Sequence, residues 1–274
     1  MPSVLVTGAS RGIGRTVALQ LAASGWTVFA GVRDAGVGEA LAAEAAGDLR
    51  AVLLDITDAE HVAALADALP DRLDALVNNA GVVVNGPVET LTTDELRRQF
   101  EINVFGQIAV TNAVLPKIRA ATGRIVFVSS LSGRISTPMT GAYNGSKFAL
   151  EALADALRLE LRPWGIRVVL IEPAQTDTDI WRGATEAFDD TVAAIPEPQR
   201  ALYQGHLDGF RRTIPFSRKL AGPARQVAAS IEQAVTAKRP RARYVVGASP
   251  KVQAGFMHLA PVAVTDRILG RITG

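Results

Sequence analysis

The stretch from Val4 to Gly25 constrains the fold more than any other part of the chain. Val4-Leu5-Val6 is a short continuous apolar run, the pattern of a strand buried on both faces. Thr7-Gly8-Ala9-Ser10-Arg11-Gly12-Ile13-Gly14 follows directly, and then Val17, Ala18, Leu21 and Ala22 recur at helical spacing until Gly25 stops the helix. A buried strand, a glycine-rich turn and a helix in immediate succession make a site for a dinucleotide. The glycines let the backbone approach a pyrophosphate, and the helix N-terminus favours its charge. The spacing here is Gly-x-x-x-Gly-x-Gly, and an ordinary tight turn is the competing explanation. The position after the first strand favours the dinucleotide, so Gly8, Ser10, Arg11, Gly12, Ile13 and Gly14 are assigned to cofactor binding.

The same alternation continues. Trp26 to Ala30, Ala51 to Leu54, Leu73 to Val77, Ile125 to Val128 and Arg167 to Ile171 read as strands, separated by amphipathic stretches, and Tyr244-Val245-Val246 reads as a seventh. This pattern predicts an α/β fold with a doubly wound parallel sheet of about seven strands, forming one domain over residues 1–274. After the second strand, folds that prefer NAD carry an acid for the ribose diol. Gly31 stands there instead, and Arg33 follows two residues on. Loss of the acid removes repulsion toward a 2′-phosphate, and a guanidinium binds one, so NADP(H) is favoured over NAD(H). Asp34 argues the other way, since it can neutralise Arg33. Asp55, at the end of the third strand, is read either as an acceptor for the adenine amino group or as a turn residue. Asn79, Ala80 and Gly81, after the fourth strand, are small enough to let the cofactor pass close.

Tyr143 and Lys147 lie one helical turn apart, and Ser130 ends the fifth strand. A phenol titrates near pH 10 in isolation; a neighbouring ammonium lowers that value, and a hydroxyl can meet the phenol across a substrate oxygen. The pair alone is equally consistent with a packed ring and a solvated amine. Asn103 sits inside a long helix beginning near Thr93, where asparagine is disfavoured, and a kink holding a water is one reason for it.

Composition removes several alternatives. The 274 residues include no cysteine, which excludes a disulfide framework, a thiolate metal site and a cysteine nucleophile. A formal net charge of +2 gives no reason to invoke nucleic acid. Met1-Pro2-Ser3 enters the first strand without a secretory signal, and no window reaches eighteen uninterrupted apolar residues. The expectation is a cytoplasmic protein with no membrane-spanning segment and no metal.

Beyond the sixth strand the charge pattern changes: Glu172 to Glu197 carries seven acids and one base, and Arg200 to Lys251 eleven bases and two acids. Residues 181–220 are assigned to a helical substrate lid. Ile180, Trp181, Phe188, Phe210, Ile214 and Phe216, with Phe256, Met257 and Leu259 from the tail, are candidates to wall an apolar substrate.

Thr7-Gly8-x-x-x-Gly12-x-Gly14, Asn78-Asn79-Ala80-Gly81, Asn103, Ser130 and Tyr143-x-x-x-Lys147, in this order, resemble the short-chain dehydrogenase/reductase family over residues 3 to about 181. The resemblance implies a Rossmann fold and hydride transfer between a nicotinamide and an alcohol or carbonyl. It implies Tyr143 as general acid/base and Ser130 as the group bonding the substrate oxygen. Lys147 would bond the nicotinamide ribose and lower the Tyr143 pKa, and Asn103 would hold a water in a proton relay. Pro173 and Thr178 would lie near the nicotinamide. One departure is Pro173-Ala174, where the family usually has Pro-Gly; a positive φ at Ala174 would strain the site. The expected activity is an NADP(H)-dependent oxidoreductase for a secondary alcohol, ketone or aldehyde of apolar, lipid-, steroid- or retinoid-like character. The alternatives are a β-ketoacyl-thioester reductase, with the basic segment holding a phosphate-bearing carrier, and a non-catalytic NADP(H)-sensing protein. Family resemblance favours a homodimer or homotetramer built on helices 93–120 and 141–162.

Overall fold

Seven parallel strands form one sheet in the order β3-β2-β1-β4-β5-β6-β9, in a computed structural model that describes residues 1–247 and 260–273. The strands are β1 (Ser3–Thr7), β2 (Thr27–Val32), β3 (Leu49–Leu53), β4 (Ala75–Asn78), β5 (Arg124–Val128), β6 (Arg167–Pro173) and β9 (Arg243–Val246). Alternation along β1 explains its continuous apolar run. Val4 and Val6 enter the core on one face, Leu5 the core on the other, and all three are fully buried. Burying each such side chain contributes roughly 1.5–3 kcal/mol.

On the Val4 face, α1 (Gly12–Ala23) and α10 (Ala224–Thr236) contribute Val17, Leu21, Val227 and Ile231. On the Leu5 face, α3 (Ala59–Ala68), α5 (Gln107–Ala121) and α6 (Gly141–Glu160) contribute Leu65, Val114, Ile118 and Leu150. Strand order reverses between β1 and β4, so their C-terminal ends open a crevice where ligands of such folds bind.

Some boundaries differ from the sequence pattern. α2 spans Ala35–Glu44 because the Asp34 side chain caps it, accepting from the Val37 N–H at 2.9 Å. α4 (Thr93–Phe100) is capped by Thr92, one residue before the expected Thr93, in a reciprocal box with Glu95. α4 then passes into a π-helical segment, Glu101–Gly106, before α5, which continues through Pro116 to Ala121.

After β6 the chain makes an excursion through α7 (Asp179–Arg182), α8 (Ala184–Ala194) and α9 (Glu197–Leu220). Its two ends are tied by a short parallel ladder, β7 (Thr176–Asp177) against β8 (Gly222–Pro223). A last helix, α11 (Val262–Thr273), packs on α9. Among the described residues, no helix is long and apolar enough to cross a membrane.

Candidate active site

The glycine-rich turn is held open by its neighbours. Gly8 (φ +64°) and Gly12 (φ +57°) occupy the left-handed region, and a Cβ on Gly14 would sit 2.3 Å from the Gly8 carbonyl oxygen. Thr7 and Asn79 lock the turn to the end of β4. Thr7 Oγ1 accepts from the N–H groups of Asn79 and Ala80, and Asn79 Nδ2 donates to the carbonyls of Thr7 and Gly8 at 3.0 and 3.2 Å. Arg11 occupies the N-cap of α1 without a side-chain cap bond, and the first turn carries no acid. Its N–H groups are therefore available to an anion. A cavity of about 340 Å³ opens here, lined among others by Arg11, Gly12, Thr16, Thr178 and Arg182. These features fit a dinucleotide pyrophosphate. Arg182 pairs with Asp177 at 3.2 Å and Asp179 at 3.4 Å across the cavity wall.

At the adenosine end, Arg33 is exposed and, among the described residues, forms no ion pair with Asp34, whose carboxylate is the α2 cap. Asp55 makes a turn with Thr57, accepting from its N–H at 3.0 Å and its hydroxyl at 2.7 Å through one oxygen. Burial raises the Asp55 pKa, but the Thr57 bonds and the charges of Arg33 and His61 outweigh it and the net shift is downward.

Ser130, Tyr143 and Pro173 converge. The Ser130 hydroxyl points to the Pro173 carbonyl at 3.5 Å, accepts from the Ser132 N–H at 3.1 Å, and lies close enough to the Tyr143 phenol to act against the rise in its pKa. Lys147 Nζ lies 5.8 Å from the Tyr143 ring centroid and donates to the Val128 carbonyl at 2.8 Å. The electrostatics depart from expectation. Burial pushes the Tyr143 pKa up, opposed by the Ser130 hydroxyl, and the net direction is upward where a lowering by Lys147 was expected. Burial also lowers the Lys147 pKa to about 8, against the charge of Glu151. The phenol thus keeps its proton at neutral pH.

Asn103 lies in the π segment and is fully buried. Its amide is bonded by protein: Oδ1 accepts from the Val82 N–H at 2.8 Å, and Nδ2 donates to the Val82 carbonyl and to Ser146 Oγ. The side chain splints the loop after β4 to the helix carrying Tyr143, where the sequence suggested a bound water. The strain feared at Ala174 is absent, since Thr122 and Met139 are the only non-glycine residues with positive φ among those described.

A family profile described as short chain dehydrogenase matches residues 2–188. The chain belongs to the short-chain dehydrogenase family. It is 32% identical over 279 positions to an NADPH-dependent 3-dehydrocapnine reductase of Ornithobacterium rhinotracheale, covering 98% of this chain and 96% of that one. It is 35% identical over 279 positions to retinol dehydrogenase 5 of Mus musculus, covering 97% and 87%. The crystal structure of a short-chain dehydrogenase from Streptomyces avermitilis superposes with a TM-score of 0.79 at 30% identity, covering 99% and 96%. This short-chain dehydrogenase is an oxidoreductase acting on CH–OH and C=O groups with a nicotinamide nucleotide.

Within the dehydrogenase, several apolar residues expected to face substrate pack elsewhere. Phe188 and Ile214, 1% and 2% exposed, join Ile195, Leu207 and Met139 in a separate core that Phe210 flanks. They hold α8 to α9 and seat both on Met139. Phe216 is 65% exposed. The side chains of Ile180 and Trp181, and all of Phe256, Met257 and Leu259, lie outside the described residues. A second cavity of about 310 Å³ lies between the loops after β4 and β5 and helix α9, bounded by Val88, Pro138, Met139, Gly141, Tyr203 and His206 among others. Tyr203 of α9 is tied to the loop after β4 through a 2.6 Å bond to Glu89. Part of the charge asymmetry is neutralised internally: Arg211 pairs with Asp189 at 3.0 Å, and Arg200 pairs with Glu197.

Of the polar frame of the site the sequence pointed only to Asn103 and not to Gln99, Gln107 or Thr111. Gln99, Asn103, Gln107 and Thr111 are all fully buried. Gln99 accepts from the Val84 N–H at 2.7 Å, and Gln107 donates to the Ala80 carbonyl at 2.8 Å. The signal was present as polar residues every fourth position along a face otherwise apolar.

Proposed function

We propose that the protein is an NADP(H)-dependent oxidoreductase that interconverts a carbonyl and a secondary alcohol on an apolar substrate, with Tyr143 as the general acid/base. The observation that carries the reading is the convergence of the Tyr143 phenol, the Ser130 hydroxyl and the Pro173 carbonyl beside a buried Lys147. The nicotinamide supplies the hydride. Ser130 holds the substrate oxygen, and Tyr143 donates the proton as negative charge grows there. The Lys147 ammonium steadies the phenolate left behind and holds the nicotinamide ribose. Gly8, Ser10, Arg11, Gly12, Ile13, Gly14, Asp55, Asn79, Ala80, Gly81, Pro173 and Thr178 hold the remainder of the cofactor.

NADP(H) is preferred on three grounds. Arg33 is exposed and close enough to Asp55 for its charge to lower that carboxyl's pKa. A Cβ at position 31 would meet Leu54 at 3.0 Å and the Val6 carbonyl at 3.2 Å, a tight place for an acid. The relative from Ornithobacterium is NADPH-dependent by name. An apolar substrate suits the cavity against Pro138 and Met139, and the similarity to a retinol dehydrogenase points the same way. Residues 181–220 act as its lid on a single 1–274 domain. Phe105, Phe148 and Leu159, 56%, 44% and 60% exposed along the π segment and α6, suit a homo-oligomer, which light scattering of the purified protein tests.

The deciding experiment replaces Tyr143 by Phe and assays a panel of apolar ketones and alcohols with both cofactors. Turnover falls by about 10²–10⁴-fold while NADPH affinity, titrated by fluorescence, stays within about twofold. Retained turnover refutes the mechanism.

A further inference from the structure

The helix bearing Tyr143 and Lys147 continues the same four-residue step with Glu151 and Asp155. Neither of these has a part in the proposed reaction, and Glu151 is only 7% exposed. Both meet one guanidinium from the far edge of the sheet. Arg243 of β9 reaches Glu151 Oε2 at 3.1 Å and Asp155 Oδ2 at 2.5 Å, and its Nε lies 3.2 Å from Glu172 Oε1. Glu172 is fully buried on β6 and takes a second arginine, Arg134, at 2.8 Å. Arg134 follows Ser130 by four residues, and Glu172 immediately precedes Pro173. One ion cluster therefore joins the helix of Tyr143, the turn after Ser130 and the strand ending in Pro173.

We propose that Glu151 and Arg243 are positioning residues that set the charge on Lys147, Glu151 holding the ammonium protonated and Arg243 limiting how strongly it does so. The proposal rests on the reading of Tyr143 and Lys147 as the reaction centre. Lys147 is 4% exposed, and burial works against its charge while Glu151 works for it. The charged and titratable groups of this region are few. On its own helix they are Tyr143, Glu151 and Asp155, with Arg158 paired to Asp155 at 3.2 Å. From β6 comes Glu172, from β9 Arg243 and from the turn Arg134. Burial and the neighbouring Glu151 raise the Glu172 pKa against both arginines, and Arg243 meets Glu151 and Asp155 directly, at 3.1 and 2.5 Å. Arg243 is thus placed to screen the carboxylate that Lys147 feels.

The chain has five lysines, so ¹³Cε-labelled lysine resolves Lys147 by NMR in the whole protein. The wild-type midpoint is expected near 8. Glu151→Gln lowers it by about one pH unit, and Arg243→Gln raises it by about one, from Coulomb interactions at side-chain separations of one helical turn. Arg243→Lys restores the wild-type value, and Glu172→Gln leaves it within about 0.3 unit. The pH at which ketone reduction declines moves in the same directions. A purely structural role moves both variants together or leaves the midpoint fixed, and either result overturns the proposal. If Arg243→Gln does not fold, Glu151→Gln alone decides: an unmoved or raised midpoint refutes it. Retained turnover in Tyr143→Phe, with the midpoints displaced as described, removes the reaction-centre reading and leaves the charge relation standing.

Discussion

Replacing Lys147 by methionine measures what a buried ammonium costs this fold. The residue is 4% exposed, its Nζ bonded to the Val128 carbonyl at 2.8 Å. Burial pulls its pKa from 10.5 to about 8, against the opposing charge of Glu151. In the unfolded chain the amine titrates at its ordinary value. The folded form therefore binds this proton less well than the unfolded form, and protonation favours unfolding. The penalty is fully present below pH 8, declines as pH rises from about 8 to 10.5, and is absent above that. The displacement corresponds to about 3 kcal/mol at pH 7 and about 1 kcal/mol at pH 9.5. Methionine preserves the length of the side chain and carries no charge. It loses the bond to Val128, a cost of about 1 kcal/mol that does not vary with pH. Wild-type stability relative to Lys147→Met thus rises by about 2 kcal/mol between pH 7 and pH 9.5. Urea unfolding of both proteins at the two pH values reads this difference directly, because other titrations cancel between them. A difference that is flat with pH refutes the argument, and one that falls reverses its sign. The variant is nevertheless expected to lose turnover, so the fold keeps a destabilising side chain that the proposed chemistry requires.

Three further outcomes follow from the geometry. Arg33→Asp weakens NADPH binding by about 10- to 100-fold, the range of a charge-assisted bond, while NADH affinity changes far less; equal loss of both removes the phosphate role. In Gly14→Ala the new methyl meets the Gly8 oxygen at 2.3 Å and Asn79 Nδ2 at 2.4 Å. The turn has to move, at about 1–3 kcal/mol of stability and with loss of cofactor affinity, read by thermal melting with and without NADPH. Asn103→Ala strips the Val82 N–H of its partner and leaves the Val82 carbonyl with Gln99 Nε2 alone, at 3.0 Å. It destabilises by about 1–3 kcal/mol in urea, and an unchanged midpoint shows that the splint is dispensable.

The sheet was legible because its strands are short apolar runs separated by helical periodicity, and the glycine-rich turn because its spacing is tied to a backbone approach. Charge placement was less legible. Asp34 next to Arg33 looks like a neutralising partner in one dimension, but its carboxylate is already engaged by the Val37 N–H. The Tyr143 pKa followed the same course: sequence spacing places an ammonium near the phenol, but burial, a property of the whole packed site, decides the direction. The π segment at Asn103 has no sequence signature beyond an asparagine in an unfavoured place. Phe188 and Ile214 were ambiguous because an amphipathic lid helix buries an apolar face whether it meets a substrate or its neighbour helix.

Two helices deliver polar side chains to the site at four-residue spacing, and they solve the burial problem differently. Gln99, Asn103 and Gln107 are neutral, and nearby backbone groups of residues 80–84 bond both ends of the Gln99 and Asn103 amides and the nitrogen of Gln107, whose Oε1 stays buried without a partner. They fix the loop after β4 without imposing a long-range field. Glu151 and Asp155, beyond Tyr143 and Lys147 on the other helix, need an opposite charge, because backbone dipoles alone do not offset ions removed from water. That charge comes from outside the nucleotide-binding half, from Arg243 of the last strand, which also meets Glu172, the partner of Arg134. The edge strand β9, remote in sequence and read initially as a final sheet element, therefore balances the helix on which the proton transfer is proposed to depend. A substitution on β9 that leaves the sheet intact should still alter the electrostatics of Lys147, while one in the neutral ladder should alter only its geometry.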